Sequence, residues 1–256
     1  MIWISGLFLL GIALLGGGLH AGLGKRLDNH MPLVLAFGGA FLIGLIFTHL
    51  VPEAYSMGAH VGIWVLVGFI LQIALEYLSQ GLEHGHAHPS KGHHAGVPWG
   101  VFISLCLHAF LESMPLAEGG GGHDHSGHHH HVHVHGMEAI DLPLLLGLAL
   151  HKLPVALVLM SLLTGLGLTR ARAWFMLIIF GLMPIAGMIA YEGIIHSFAD
   201  GVGTMFPSIA HGLLIGILMH ISTTILFEMA DGHRFNARKF ALTLIGLGLS
   251  VAVSYL

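Results

Sequence analysis

A chain of 256 residues that is 55% hydrophobic and 9% charged, with a mean hydropathy of +0.84, falls far below the roughly 25% charge of a soluble globular domain. The formal net charge of −4 says little by itself, and no nucleic-acid partner is expected. One cysteine, Cys106, excludes an intrachain disulfide.

A helix that crosses a bilayer needs about 20 apolar residues. Eight stretches qualify, near 2–20, 32–52, 62–82, 98–118, 140–165, 172–195, 205–228 and 239–256. Each is too long for a strand and shows no alternation of apolar and polar residues, and backbone in lipid must satisfy its own hydrogen bonds, so helices are expected. The predicted fold is all-α: one polytopic bundle of eight transmembrane helices over residues 1–256, embedded in a lipid bilayer, with no room for a second, soluble domain. The first span lacks a basic leader and a small-residue cleavage site and is expected to be a retained helix. Its Gly16 to Gly18 run would permit close helix packing, within the chain or in a homodimer.

The nine basic residues orient the chain. Lys25, Arg26, Lys91, Arg170, Arg172, Arg234, Arg238 and Lys239 fall in, or at the edges of, the loops after spans one, three, five and seven. Only Lys152 lies inside a span, and the loops after spans two, four and six hold none. Loops rich in Lys and Arg stay in the cytoplasm, so both termini are expected outside it, in the plasma or inner membrane of a cell.

In chain order, span two ends with His49 and Glu53, four residues apart and on one helical face. They could form an entrance site for an ion, or an interfacial pair snorkelling to water. Glu76 in span three and Glu192 in span six stand nearer helix ends and are expected to be solvated. The loop after span three, about 83–97, holds His84, His86, His88, His93 and His94. The loop after span four, about 119–138, holds His123, His125, His128, His129, His130, His131, His133 and His135. Gly/His-rich tracts of this kind are a compositional signal for loose, auxiliary metal binding; solvated linkers would look the same. The orientation places the first in the cytoplasm and the second outside.

Span four carries a second i, i+4 pair, His108 and Glu112, and span five brings His151 beside Lys152. Imidazole and carboxylate make a sensible partial shell for zinc or another divalent first-row ion, although a His–Glu hydrogen bond on a packed face would show the same pattern. Pro115, Pro154 and Pro184 are predicted to break their helices, the first two beside the proposed ligands. In span seven His211, His220 and Glu228 are further polar groups, with His220 and Glu228 candidates for an exit. Met183, Met188 and Met219 are expected as filler.

Taken together these residues resemble the ZIP (Zrt/Irt-like) family of divalent metal transporters across nearly the whole chain. Gly39-Ala40-Phe41-Leu42 followed by His49-Leu50-Val51-Pro52-Glu53 looks like that family's second-span pattern. His108-Ala109-Phe110-Leu111-Glu112 looks like its fourth-span motif, His151-Lys152 like the His-Lys of one branch, and Met183-Pro184-Ile185 like its sixth-span motif. The resemblance implies first-site ligands at positions 41, 108, 112, 151 and 155. Phe41 and Val155 cannot ligate, leaving His108, Glu112 and His151. It implies second-site ligands at 109, 112, 152, 155 and 183, where only Glu112 of Ala109, Glu112, Lys152, Val155 and Met183 is a good one. A mononuclear site is therefore expected, with the Lys152 ammonium standing in for a second cation beside Glu112.

The expected function is passage of a divalent cation into the cytoplasm through His108, Glu112 and His151. Zinc is the first choice, with Fe2+, Mn2+ and Cd2+ alternatives, because these ions share ligand preferences. The chain is not expected to be an enzyme. An intramembrane metal-dependent hydrolase would use the same three ligands, but no His-Glu-x-x-His motif is present. A metal exporter or a sensor would also suit the His-rich loops.

Overall fold

In the computed structural model the described residues are 2–24, 31–79, 99–118, 140–198, 202–228 and 237–255. Their regular structure is helical throughout. Eight helices are long and apolar enough to cross a membrane, which makes this a multi-pass membrane protein. They are α1 (Ile2–Leu23), α2 (Met31–Ser56), α3 (Val61–Ser79), α4 (Trp99–Glu112), α5 (Leu142–Gly165), α6 (Arg170–Ser197), α7 (Val202–Glu228) and α8 (Ala237–Ser254). A 3-10 turn, Met114–Ala117, extends α4. Both His-rich tracts, with Lys25, Arg26, Lys91 and Arg234, lie outside the described residues.

Helices α2, α4, α5 and α7 form the interior, whereas α3 and α8 leave most of their surface outside the bundle. The contacts explain this division. α3 packs on α7, α8 on α2, and α1 in the angle between α5 and α6. Between helices in lipid there is no hydrophobic drive, so packing depends on small residues that let backbones approach. At the α3–α7 crossing, Gly216 faces the backbone of Val65 and Phe69 so closely that a Cβ would collide with it, and Gly68 faces the Leu213 carbonyl in the same way. The glycine run of α1 is used within the chain: a Cβ on Gly16 would sit 2.8 Å from the Leu153 carbonyl oxygen, and Gly17 packs on Leu177.

The prolines act unevenly. α4 gives way to the 3-10 turn directly after Glu112, with Pro115 in that turn. Pro154 and Pro184 sit inside helices that continue through them. A further break was not foreseen. Residues Ile46–Leu50 of α2 form a π-turn, in which the Val51 amide donates to the Ile46 carbonyl. Pro52 has no N–H to offer the Thr48 carbonyl, and its ring crowds that carbonyl. A local shift to wider i→i−5 bonding relieves the mismatch, and π-turns of this sort recur at functional sites. His49 lies in this turn.

The ends of α5 are set by local chemistry. Asp141 caps the start, its Oδ1 accepting from the Leu144 amide at 2.9 Å, with Pro143 in the first turn. At the other end Gly167 takes φ +79°. Its amide donates to Thr164 and that of Leu168 to Leu163, the paired bonding that closes many helices on a left-handed glycine. Asp141 therefore fixes where the helix carrying His151 begins.

Candidate metal centre

Near the middle of the bundle, α4 and α5 bring His108, Glu112, His151 and Lys152 together, each at most 3% exposed. His108 Nε2 stands 3.0 Å from Glu112 Oε2 and 3.3 Å from His151 Nε2. One ligand atom from each of the three lies within 4.8 Å of the others. A tetrahedral ion at about 2.1 Å from its ligands sets them about 3.4 Å apart, so the cluster already has the spacing of a metal shell.

The hydrogen bonding points the same way. Glu112 Oε2 is buried and has no hydrogen-bond partner despite the nearby imidazole. A buried carboxylate oxygen without a donor is costly. His108 Nδ1 donates to Gln72 Oε1 of α3 at 3.2 Å. In the neutral ring this donation turns the Nε2 lone pair toward Glu112 and His151, the arrangement by which an outer partner orients a metal-binding histidine. Two Nε2 atoms at 3.3 Å can share one proton or one cation between them, never two.

Lys152 Nζ donates to the other oxygen, Glu112 Oε1, at 3.3 Å, and lies 4.6 Å from the centroid of the Phe180 ring. The ammonium thus holds one Glu112 oxygen while the His108 ring faces the other. The positions where the family pattern would demand more ligands are apolar and packed: Phe41, Ala109 and Val155 are buried in the core. Met183 lies among the same apolar residues as Ala109 and Val155.

The neighbourhood of the site depends on a close crossing of α4 and α6. Gly187 abuts the Phe110 carbonyl so tightly that a Cβ would overlap it. Ser113, one residue after Glu112, has its hydroxyl 3.2 Å from the Pro184 carbonyl oxygen.

A second group lies where α2 meets the start of α5. His49 Nε2 is 3.1 Å from both carboxylate oxygens of Asp141 and 3.7 Å from Glu53 Oε2. The sequence pattern isolated His49 and Glu53 but gave no reason to choose Asp141, which stands at the very start of the fifth span. Its N-cap position before Leu142-Pro143 was the available signal. Beyond Glu53, Glu118 accepts from the Tyr191 hydroxyl at 2.8 Å and lies 3.5 Å from His211 Nδ1.

Toward the opposite end, His220 Nε2 is 3.4 Å from Glu76 Oε2, and the His220 ring meets Phe69 edge-on at 4.9 Å. Glu76, expected at the solvated end of its helix, is instead three-quarters buried beside a histidine of α7. The reason is the close α3–α7 crossing, which carries the last turns of α3 against His220. Glu192 is exposed, as expected. Glu228 is the last residue of α7, and its side chain lies outside the described residues.

Polar groups therefore run the length of the bundle: His49, Glu53 and Asp141 at one end; His108, Glu112, His151 and Lys152 in the middle; Glu76 and His220 toward the other. The chain matches no protein-family model and no curated protein.

Proposed function

We propose that this protein carries divalent metal ions, zinc first among them, across a membrane, in the manner of the ZIP transporters that its motifs resemble. The observation that carries the reading is the buried meeting of His108, Glu112 and His151 at metal-shell spacing in the interior of an eight-helix bundle. Ionisable groups inside a membrane protein are expensive and mark ion pathways. Fe2+, Mn2+ and Cd2+ share these ligand preferences and are the alternative cargoes.

Three protein ligands suit a transit site, because a fourth position stays open to water or to the next ligand on the way out. Lys152 limits the site to one ion: its ammonium lies beside Glu112 where a second cation would sit. It also draws on the same carboxylate as the metal, which weakens binding and aids release; a transported ion must be able to leave. Beyond the core, Gln72 and then Glu76 with His220 continue the polar file toward the end that the basic loops assign to the cytoplasm, where the His-rich tract of residues 83–97 would receive the ion. Entering with the membrane potential, a divalent cation gains roughly 4.6 kcal/mol per 100 mV, and the sequence holds no P-loop for a nucleotide-driven alternative.

The test is zinc uptake by purified protein in liposomes loaded with a metal-sensitive dye, beside a His108→Ala/His151→Ala variant. Flux in the parent and none in the variant is expected. Equal flux in both would remove the core from the pathway. Tight zinc binding with no flux would make the protein a sensor or an enzyme.

A further inference from the structure

We infer that His49, Glu53 and Asp141 form a second divalent-cation site, separate from the core, where α2 meets the start of α5. The argument is geometric. The three donors come from a π-turn, the helical turn after it and a helix cap, so no single sequence motif holds them. His49 Nε2 to Asp141 is 3.1 Å and to Glu53 Oε2 is 3.7 Å, values that bracket the roughly 3.4 Å between ligands of a tetrahedral ion. All three donor atoms lie within 4.8 Å of one another.

A second observation is independent of that spacing. Glu53 Oε2 is shut off from solvent and has no hydrogen-bond partner. Its neighbours His49 and Asp141 bond to each other instead. Within electrostatic reach of Glu53 lie two further carboxylates, Asp141 and Glu118, and two imidazoles, His49 and His211. A carboxylate held among other carboxylates, with one oxygen lacking a donor, has the surroundings of a cation ligand rather than of a structural ion pair. Two carboxylates and a neutral imidazole together match the charge of a divalent ion, and the mixed oxygen–nitrogen set suits a borderline ion such as zinc.

The π-turn explains how the site is built. Without it Pro52 would kink or break α2; with it the helix continues, and His49 and Glu53 reach the Asp141 cap together. Asp141 holds two roles: one oxygen caps α5 through the Leu144 amide, and both lie against His49. An ion held there would bridge α2 to the helix that carries His151. From 1.5 Å rise per residue, it would sit about 15 Å along α5 from the core. The inference does not depend on the transport reading, since converging donors bind an ion whether the core conducts or not.

The experiment is zinc binding to the purified full-length chain, by competition with a chromogenic chelator. The histidines of 84–94 and 123–135 are replaced by serine so that the tracts contribute nothing, and His108→Ala/His151→Ala disables the core. About one zinc per chain is expected. Asp141→Asn keeps the helix cap, because asparagine caps as well as aspartate, but removes a charged ligand. It should weaken that zinc by at least about tenfold, the lower end of what losing even an outer-shell partner costs, and Glu53→Gln should do the same. Each variant is checked for monodisperse elution.

No zinc in the core-disabled chain, or unchanged affinity in either variant, overturns the site. The reciprocal protein, with an intact core and Asp141→Asn, separates the two proposals. If it binds no zinc while the core-disabled chain binds one, the core reading fails and the mouth site stands.

Discussion

Replacing Lys152 with methionine keeps most of the side-chain volume and removes the charge. In the parent protein Lys152 Nζ and Glu112 Oε1 are 3.3 Å apart, with both side chains at most 2% exposed. With an effective dielectric near 20, two unit charges at that distance attract by about 5 kcal/mol. Removing one partner of a buried pair leaves the other uncompensated, at a cost of about 3–5 kcal/mol, and the contact with the Phe180 ring adds roughly 0.5–1 kcal/mol. At about 2–4 °C per kcal/mol for a chain of this size, the metal-free variant should melt roughly 10 °C lower in a detergent thermal-shift assay. Zinc should reverse the loss. In Lys152→Met the ion meets no competing ammonium at Glu112, so it binds more tightly and its stabilising effect, which grows with the ratio of free ion to Kd, is larger than in the parent. Tighter binding should also slow release and lower the maximal flux. An unchanged melting temperature without metal, or a zinc-induced rise smaller than that of the parent, would refute the claim that Lys152 and the ion share Glu112.

Gln72→Leu removes the acceptor of His108 Nδ1, and zinc affinity at the core should fall by roughly 10–100-fold; unchanged affinity in chelator competition would mean that another group orients the ring. Gly187→Leu drives a side chain into the Phe110 carbonyl and should separate α4 from α6. The expected readout is loss of monodisperse protein in size-exclusion chromatography, and a folded, active variant would contradict the close crossing. The sidedness can be read with single cysteines in a Cys106→Ser background. Met57→Cys, between α2 and α3, should react with an impermeant thiol reagent added outside intact cells, and Gly165→Cys, at the exposed last residue of α5, only after the membrane is opened. The reverse pattern would invert the orientation read from the basic loops.

The eight spans were legible because their signal is long and apolar, and bilayer thickness fixes how long each must be. The core pairing was legible for a similar reason. His108 and Glu112 are four residues apart on one helix, a spacing that puts them on one face whatever the rest of the chain does. His151 lies on a second helix, so no periodicity ties it to that pair; it stood out as a histidine in the interior of the fifth span, and the resemblance then placed it in the same shell. What was not legible is what depends on two helices meeting at a particular depth. Asp141 looks like no more than the first polar residue of a span until the start of α5 is set beside the π-turn of α2. Glu76 looks like a solvated helix end until the glycines at the α3–α7 crossing draw it to His220. Gln72 shows no pattern at all, because its bond to His108 reaches a histidine on another helix. The π-turn had a sequence cause in Pro52, but a proline predicts that a helix is disturbed and not which way the disturbance resolves.

The two clusters differ in the chemistry they offer an ion, and that difference bears on selectivity. His49, Glu53 and Asp141 present two carboxylates and one imidazole. His108, Glu112 and His151 present two imidazoles and one carboxylate, and Lys152 already balances that carboxylate. The first set is rich in negative charge and oxygen, which attracts any divalent cation, including the hard ions that prefer oxygen shells. The second offers little net charge and mostly nitrogen, which favours zinc and its neighbours over magnesium or calcium. On the proposed reading the mouth concentrates divalent ions by charge and the core sorts them by ligand type. The sorting also explains why a lysine is tolerable at the centre of a cation pathway: an ion that binds mainly through nitrogen loses less to a nearby ammonium than one that depends on the carboxylate.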